Sequence, residues 1–315
     1  MPVQSPALSI VATLYKSAPY VSEFCTRAAE AARTLVGDDF EVVLVNDGSP
    51  DDSLAIAVAL TETNPHLIVV DLSRNFGHHK AMMTGLMHAQ GNQVFLIDSD
   101  LEEEPEWLLP FAKQQQVEGC DVVYGVQERR KGGRFERVTG QWFYRIFNAM
   151  SGLNLPENIV VARLMSRRYV DALLLHSERE VFMAGIWHIT GFLQRPRTVT
   201  KHSTSESTYS LRHKVAMLVN SITAFSNAPL HAIFYIGTAI SGLAGLYIAY
   251  ILFHWLFMAR PVGGWTSVMA SIWLIGGLII SFIGVIGIYL AKIFSETKQR
   301  PYTIVRQVYG RGESS

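Results

Sequence analysis

Two stretches near the C-terminus restrict this chain more than any other feature. From Ala232 to Met258 there is no Asp, Glu, Lys or Arg, and His254 is the one imidazole; from Trp265 to Ala291 there is neither charge nor imidazole. Each exceeds the roughly 20 apolar residues a helix needs to cross a hydrocarbon core about 30 Å thick. Uncharged runs of this length are unusual in a soluble core. The sequence therefore predicts a helical membrane hairpin over 229–291, with spans at about 232–257 and 265–291. The absence of charged side chains in either span argues against a transport path. Glycines in both spans, among them Gly242, Gly245, Gly276 and Gly284, permit close helix packing within the hairpin or in a homo-oligomer.

The flanks set an expected orientation. Arg212 and Lys214 precede the first span, and Lys292, Lys298, Arg300, Arg306 and Arg311 follow the second, whereas the link 259–264 carries one charge. The positive-inside rule then places both termini and the large N-terminal region on the cytoplasmic side of the inner (cytoplasmic) membrane. The expected organisation is a cytosolic domain at 1–208, a juxtamembrane helix at 209–228, the hairpin, and a cytosolic tail at 292–315. The first apolar run, Leu8 to Leu14, lacks a preceding basic region and is not an export signal. With 27 Lys+Arg against 27 Asp+Glu, no overall field favours nucleic acid. Cys25 and Cys120 fit no metal spacing and read as reduced, buried thiols.

Before the hairpin, short apolar runs alternate with helical patterns. Leu8–Leu14, Glu41–Val45, Leu67–Leu72 and Val94–Ile97 read as strands, and Val21–Leu35, Asp52–Thr63, His79–Ala89 and Pro105–Val117 as helices. That alternation predicts an α/β fold whose mixed, mainly parallel sheet carries helices on both faces. Ligands of such sheets sit beyond the carboxyl ends of the strands. Here the second strand runs into Asn46-Asp47-Gly48-Ser49-Pro50-Asp51-Asp52, the third into Ser73-Arg74-Asn75-Phe76-Gly77-His78, and the fourth into Asp98-Ser99-Asp100. Alternation of side chains along the strand turns Asp98 and Asp100 toward the same side. Two carboxylates so placed suit Mg2+ or Mn2+, hard cations often shared with substrate phosphates. Glu102, Glu103, Glu104 and Glu106 read as the solvated first turn of a helix.

Taken together, Val45–Asp52, Leu72–His78, Asp98–Leu101, Asp121–Val126, Ala162-Arg-Leu-Met165, Tyr209–Leu211 and the two apolar spans resemble a family 2 glycosyltransferase of the GT-A fold. The resemblance is to the branch containing dolichyl-phosphate mannose synthases and bacterial undecaprenyl-phosphate sugar transferases. It implies transfer of a sugar from a UDP- or GDP-linked donor, UDP-glucose being the first choice, to a polyprenyl phosphate. It further implies that Asp47 and Asp98 contact the nucleoside, that Asp100, with Asp98, holds the metal, and that Arg74, Asn75, Gly77 and His78 shape the donor pocket. Tyr15 is the one match to the family's first-strand motif. Arg163 is the candidate for holding a phosphate during catalysis, its planar fork matching that group.

Three segments depart from the pattern. The first strand exits into Thr13-Leu-Tyr-Lys-Ser17, the stretch Ile159–Ala162 lacks the acidic residue many relatives place there, and Thr208 stands where a lysine is common. Arg129, Arg130, Lys201 and Arg212 are candidates for the lipid phosphate, with Lys131 beside them. Residues 133–152 carry amphipathic helical spacing that suits either a membrane interface or packing on the sheet, and 211–226, which lead into the hairpin, suit the interface. Two other functions compete: a processive polysaccharide synthase, which this chain's lack of a Gln-x-x-Arg-Trp segment disfavours, and a non-catalytic membrane protein binding a nucleotide sugar or lipid phosphate.

Overall fold

The computed structural model describes residues 5–127, 158–176, 183–201, 226–258 and 264–310, with positions 150, 156, 178, 219, 222 and 223. The apolar runs form the strands expected of them: β1 (Leu8–Leu14), β2 (Phe40–Asn46), β3 (Leu67–Leu72) and β4 (Gln93–Leu96). They are mutually parallel, in the order β4-β1-β2-β3. β5 (Val122–Gln127), β6 (Ile159–Ser166) and β7 (Gln194–Val199) extend the sheet past β4, with β6 antiparallel to both neighbours. The full order is β7-β5-β6-β4-β1-β2-β3-β8, with β8 formed by Val305–Tyr309.

Helices cover both faces, as the βα alternation predicts. On one side, α1 (Val21–Val36), α2 (Ser53–Thr61) and α4 (Leu108–Glu118) pack together over the sheet. Helix α1 turns Val21, Phe24, Cys25, Ala28 and Ala32 inward at helical spacing, onto Leu8, Ile10, Leu44 and Phe95. Phe24 is fully buried, so truncation to Ala would cost roughly 3–5 kcal/mol. On the other side lie α3 (His78–His88) and α5 (Arg167–Leu174). A methyl at Gly85 of α3 would stand 2.5 Å from Val11 Cγ1, so glycine is what allows that helix to lie so near the strands. A short helix, α6 (Met183–Ile189), precedes β7. Both cysteines are free and buried.

The described residues group into two units. The second holds α7 (Ala228–Met258) and α8 (Trp265–Thr297), both long and apolar enough to cross a membrane. At 1.5 Å per residue they are about 46 and 50 Å long. Their aliphatic side chains, such as Leu243, Leu246, Ile280 and Leu290, are exposed. The segments expected to lie at an interface, 133–152 and 211–226, fall almost wholly outside the described residues.

The expected tail at 292–315 behaves differently from a tail. Helix α8 continues to Thr297, and Val305–Tyr309 then form β8, an edge strand antiparallel to β3 in the first unit. One unit thus contains chain from both before and after the apolar pair.

Candidate active site

Strand order reverses at β1, which has β2 on one side and β4 on the other. In sheets of this kind that reversal opens a crevice beyond the strand ends. Strand β4 stops at Leu96, so Asp98-Ser99-Asp100 is a loop, oriented by hydrogen bonds instead of pleat alternation. Ser99 is turned inward, its hydroxyl donating to the Thr13 carbonyl at 2.7 Å and meeting Ser17 Oγ at 3.1 Å. That ties the loop to the end of β1. Asp98 Oδ1 lies 3.3 Å from His78 Nε2, while His78 Nδ1 lies 2.9 Å from Thr13 Oγ1. The end of β1, the first residue of α3 and the loop after β4 therefore meet at one point.

Asp100 closes its own turn by accepting the Glu102 amide at 3.0 Å. Leu101 between them has φ 59°, a left-handed conformation unfavourable for a leucine. Burial raises the Asp100 carboxyl above its ordinary range, and the charge of Asp98 raises it further. The negative charge of Asp98 thus acts against that of Asp100. Among the described residues no three His, Cys, Asp or Glu side chains converge as a ready-made ligand set. Two carboxylates that repel each other nonetheless fit a hard divalent cation whose remaining ligands are water and substrate phosphate. Asp98 and Asp100 could hold Mg2+ or Mn2+ in that way.

The acidic residues that follow are not the solvated helical turn that the sequence predicts. The helix begins with a 3-10 turn at Pro105–Trp107, after the first three glutamates. Glu103 is fully buried, its two oxygens accepting the consecutive amides of Val161 and Ala162 at 3.1 and 2.8 Å. Glu102 is largely buried, and only Glu106 reaches outward, paired with Arg27 at 2.7 Å. Lys201 completes the cluster, its Nζ 3.2 Å from Glu102 and 3.7 Å from Glu103. Desolvation pulls Lys201 down, but Glu103, Asp98 and Asp100 together hold it above its ordinary value. A lysine expected to meet lipid phosphate is thus occupied as the counter-charge of the acidic loop. The other lipid-phosphate candidates, Arg129, Arg130 and Arg212, lie outside the described residues.

Asp47, at the end of β2, is 2% exposed, and its carboxylate accepts the amides of Phe76 and Gly77 at 2.7 and 3.0 Å. The side chain expected to touch a nucleoside is thereby engaged in holding the loop 73–77. Gly48 (φ 59°) follows it, and a methyl there would stand 2.5 Å from Asn75 N. Arg74 stacks over Phe76 at 4.1 Å and donates to the Asn75 carbonyl, so Arg74, Asn75, Gly77 and His78 share one ordered turn. Tyr15 is 49% exposed at the exit of β1.

Arg163 faces inward. It is 1% exposed on β6, donates to the carbonyls of Val161 and Val160, and stacks on Trp187. Burial lowers its pKa, opposed by Tyr169, Glu103 and Tyr124. With Tyr124, Trp187, His188 and Phe192 it lines a cavity of about 390 Å³. Glu103, Ser99 and Trp187 are among the residues of this region that the sequence did not mark as site residues. The proline directly after Glu104 is the signal that the glutamates precede the helix.

Comparison with known proteins follows the same outline. A sequence model described as Glycosyl transferase family 2 matches residues 9–174, more than half of the chain. A Mycobacterium tuberculosis (strain CDC 1551 / Oshkosh) protein whose description names glycosyltransferases is 49% identical over 303 residues, 96% of this chain and 88% of its own. The bactoprenol glucosyl transferase of Shigella phage SfV is 34% identical over 274 residues, 85% of this chain and 88% of its own. Among solved structures, a Pyrobaculum calidifontis mannosyltransferase in complex with GDP-Man and Mn2+ overlays with a TM-score of 0.49 at 17% identity, covering 95% of this chain and 88% of its own. On the family match and these identities, the chain is a glycosyltransferase and belongs to glycosyl transferase family 2.

Proposed function

We propose that this enzyme moves a glycosyl group from a nucleoside-diphosphate sugar, with UDP-glucose the leading donor, to a polyprenyl phosphate such as undecaprenyl phosphate. The reaction would run with inversion at the cytoplasmic face of the membrane. The observation that carries this reading is the Asp98-Ser99-Asp100 loop beyond β4, with Asp98 against His78 at the switch point of the sheet, in a family 2 chain that also has two membrane-length apolar helices. Relatives named bactoprenol glucosyl transferase support a lipid carrier as acceptor.

The chemistry needs little proton transfer. A phosphate monoester has a second pKa of about 6, so at neutral pH the acceptor is largely a dianion and already nucleophilic. Its oxygen attacks the anomeric carbon from the face opposite the leaving group. The new bond is carbon to phosphate oxygen, the bond from that carbon to the nucleoside diphosphate breaks, and the diphosphate departs with the electron pair. An acidic residue near Val161 is therefore dispensable as a base. The barrier is lowered by placing the reactants and by offsetting charge on the two phosphates. A divalent ion held by Asp98 and Asp100 would neutralise the leaving diphosphate. Asp47 and the loop 73–77 orient the nucleotide, His78 positions Asp98, and Lys201 keeps the surrounding carboxylates from repelling the donor.

The test is transfer of radiolabel from nucleotide sugars into organic-extractable lipid phosphate by purified protein in detergent with Mg2+ or Mn2+. The proposal expects transfer that is abolished in Asp100→Asn. Transfer that persisted in that variant and in excess chelator would remove the metal from the reaction. No transfer from any of a panel of UDP- and GDP-sugars would overturn the acceptor or donor class.

A further inference from the structure

Strand β8 does more than extend the sheet. Its pairing with β3 sets Val308 against Val70, Gln307 against Asp71 and Val305 against Leu72, so the register slips by one residue and Arg306 has no opposite partner. Such a bulge re-aims the side chain it frees. The Arg306 guanidinium turns across the sheet edge, with Nη1 3.3 Å from Asp71 Oδ2 and Nη2 donating to the Ser73 carbonyl at 2.7 Å. Ser73 in turn donates its amide to the Ile304 carbonyl at 2.8 Å. Ser73 is the first residue of the loop whose far end, Phe76 and Gly77, is held by Asp47.

The two anchors are connected. Asp71 is 1% exposed, and its second oxygen accepts the Asn46 side-chain amide at 2.8 Å, directly before Asp47. A buried carboxylate that loses a cationic partner leaves charge uncompensated, so Arg306 matters to Asp71 although the arginine itself is half-exposed. A further tie joins Thr303 Oγ1 to Thr84 Oγ1 at 2.7 Å, on the helix that begins with His78. The chain between Thr303 and Arg306 thus grips both the start of the loop and the helix that follows it.

We propose that this C-terminal segment is part of the donor site and that Arg306 is a positioning residue for the nucleotide. It fixes the Ser73–Gly77 loop through the Ser73 carbonyl and Asp71 while touching no reacting atom. The segment begins six residues after α8 ends, so the last apolar helix is joined by a short tether to the loop that shapes the donor pocket. This inference rests on reading that loop as the nucleotide-binding one.

The experiment compares full-length wild type with Arg306→Ala, Arg306→Lys and Thr303→Val in detergent. Titration calorimetry with UDP and with GDP is combined with amide hydrogen exchange over residues 73–77. Loss of a charge-assisted bond predicts about tenfold weaker nucleotide binding in Arg306→Ala, with faster exchange at Phe76 and Gly77. Arg306→Lys, which retains the charge but not the fork, should recover part of both. Thr303→Val removes only a neutral hydrogen bond, should weaken binding a few-fold in the same direction, and serves where Arg306→Ala does not fold. Donor KM should rise while kcat at saturating donor stays within about twofold, since no transition-state contact is removed. Equal nucleotide affinity and equal exchange in wild type and the folded variants would overturn the inference. Wild type that binds neither UDP nor GDP would instead overturn the reading of the loop.

Discussion

The Asp47 carboxylate accepts the backbone N–H of Gly77 at 3.0 Å, linking the end of β2 to the residue just before α3. Its other oxygen holds Phe76, so one side chain fixes two consecutive amides thirty residues away. Asp47→Asn would replace one acceptor oxygen with a donor facing an amide. A bond to a charged acceptor contributes about 1.5–3 kcal/mol, so nucleotide affinity should fall by roughly ten- to a hundredfold. Donor KM against kcat checks this: a change confined to kcat would mean Asp47 acts on the reaction and not on the loop.

Gly48→Ala should disturb the same loop by a different route. The residue has φ 59°, and an added methyl would lie 2.5 Å from Asn75 N and 2.6 Å from Arg74 C, both backbone atoms that cannot rotate away. Strain at φ and overpacking each cost about 1–3 kcal/mol. Thermal melting should show the lower stability, and UDP titration a weaker site. A variant with wild-type melting temperature and affinity would show that the turn and loop move apart without cost.

Glu103 gives the protein a pH dependence of definite sign. Its carboxyl is raised from 4.5 to about 8, first by burial and then by the charge of Asp98, against the pull of Lys201 and two amides. The folded state therefore binds a proton that the unfolded state has released, over the window from about 4.5 upward. Stability contributed by this group is complete below that window and declines as pH rises through it, by up to about 1.4 kcal/mol per unit. Denaturant unfolding in metal-free buffer at pH 5 and pH 8 should show a steeper decline for wild type than for Glu103→Gln. Parallel profiles for the two proteins would exclude Glu103 as the source.

The contrast between neighbouring residues shows what the sequence carried. Leu8–Leu14 and Leu67–Leu72 are strands with the ends expected of them, because a short apolar run bounded by turn residues has few other ways to be buried. Asp98 and Asp100 lie beyond the end of β4 for the same reason. Identical letters side by side, Glu102 to Glu104, could not be sorted from one another. What buries Glu103 is a pair of amides 58 and 59 residues away, and its counter-charge, Lys201, is farther still. Strand β8 is not legible in the sequence because Val305-Arg-Gln-Val-Tyr309 is short, charged and placed after a membrane-length helix. Its strand character comes from the open edge of β3, a partner that local pattern does not encode.

The last prediction concerns Lys201 and a divalent cation. The ammonium offsets Glu102 and Glu103 directly and also acts on Asp98 and Asp100, so it supplies part of the positive charge that a metal there would bring. Lys201→Gln leaves the acidic loop undercompensated, which costs several kcal/mol for a buried pair and less where Glu103 can take up a proton. The variant should melt below wild type in chelator, and Mg2+ or Mn2+ should restore more of its stability than it adds to wild type. Differential scanning calorimetry at fixed pH, with and without one cation concentration used for both proteins and about tenfold above the wild-type Kd, reads this as the difference between two metal-induced shifts, because a ligand stabilises by RT times the logarithm of one plus its concentration over Kd. Equal shifts in the two proteins would mean that the lysine and the ion do not answer the same charge, and that the metal is held elsewhere or not at all.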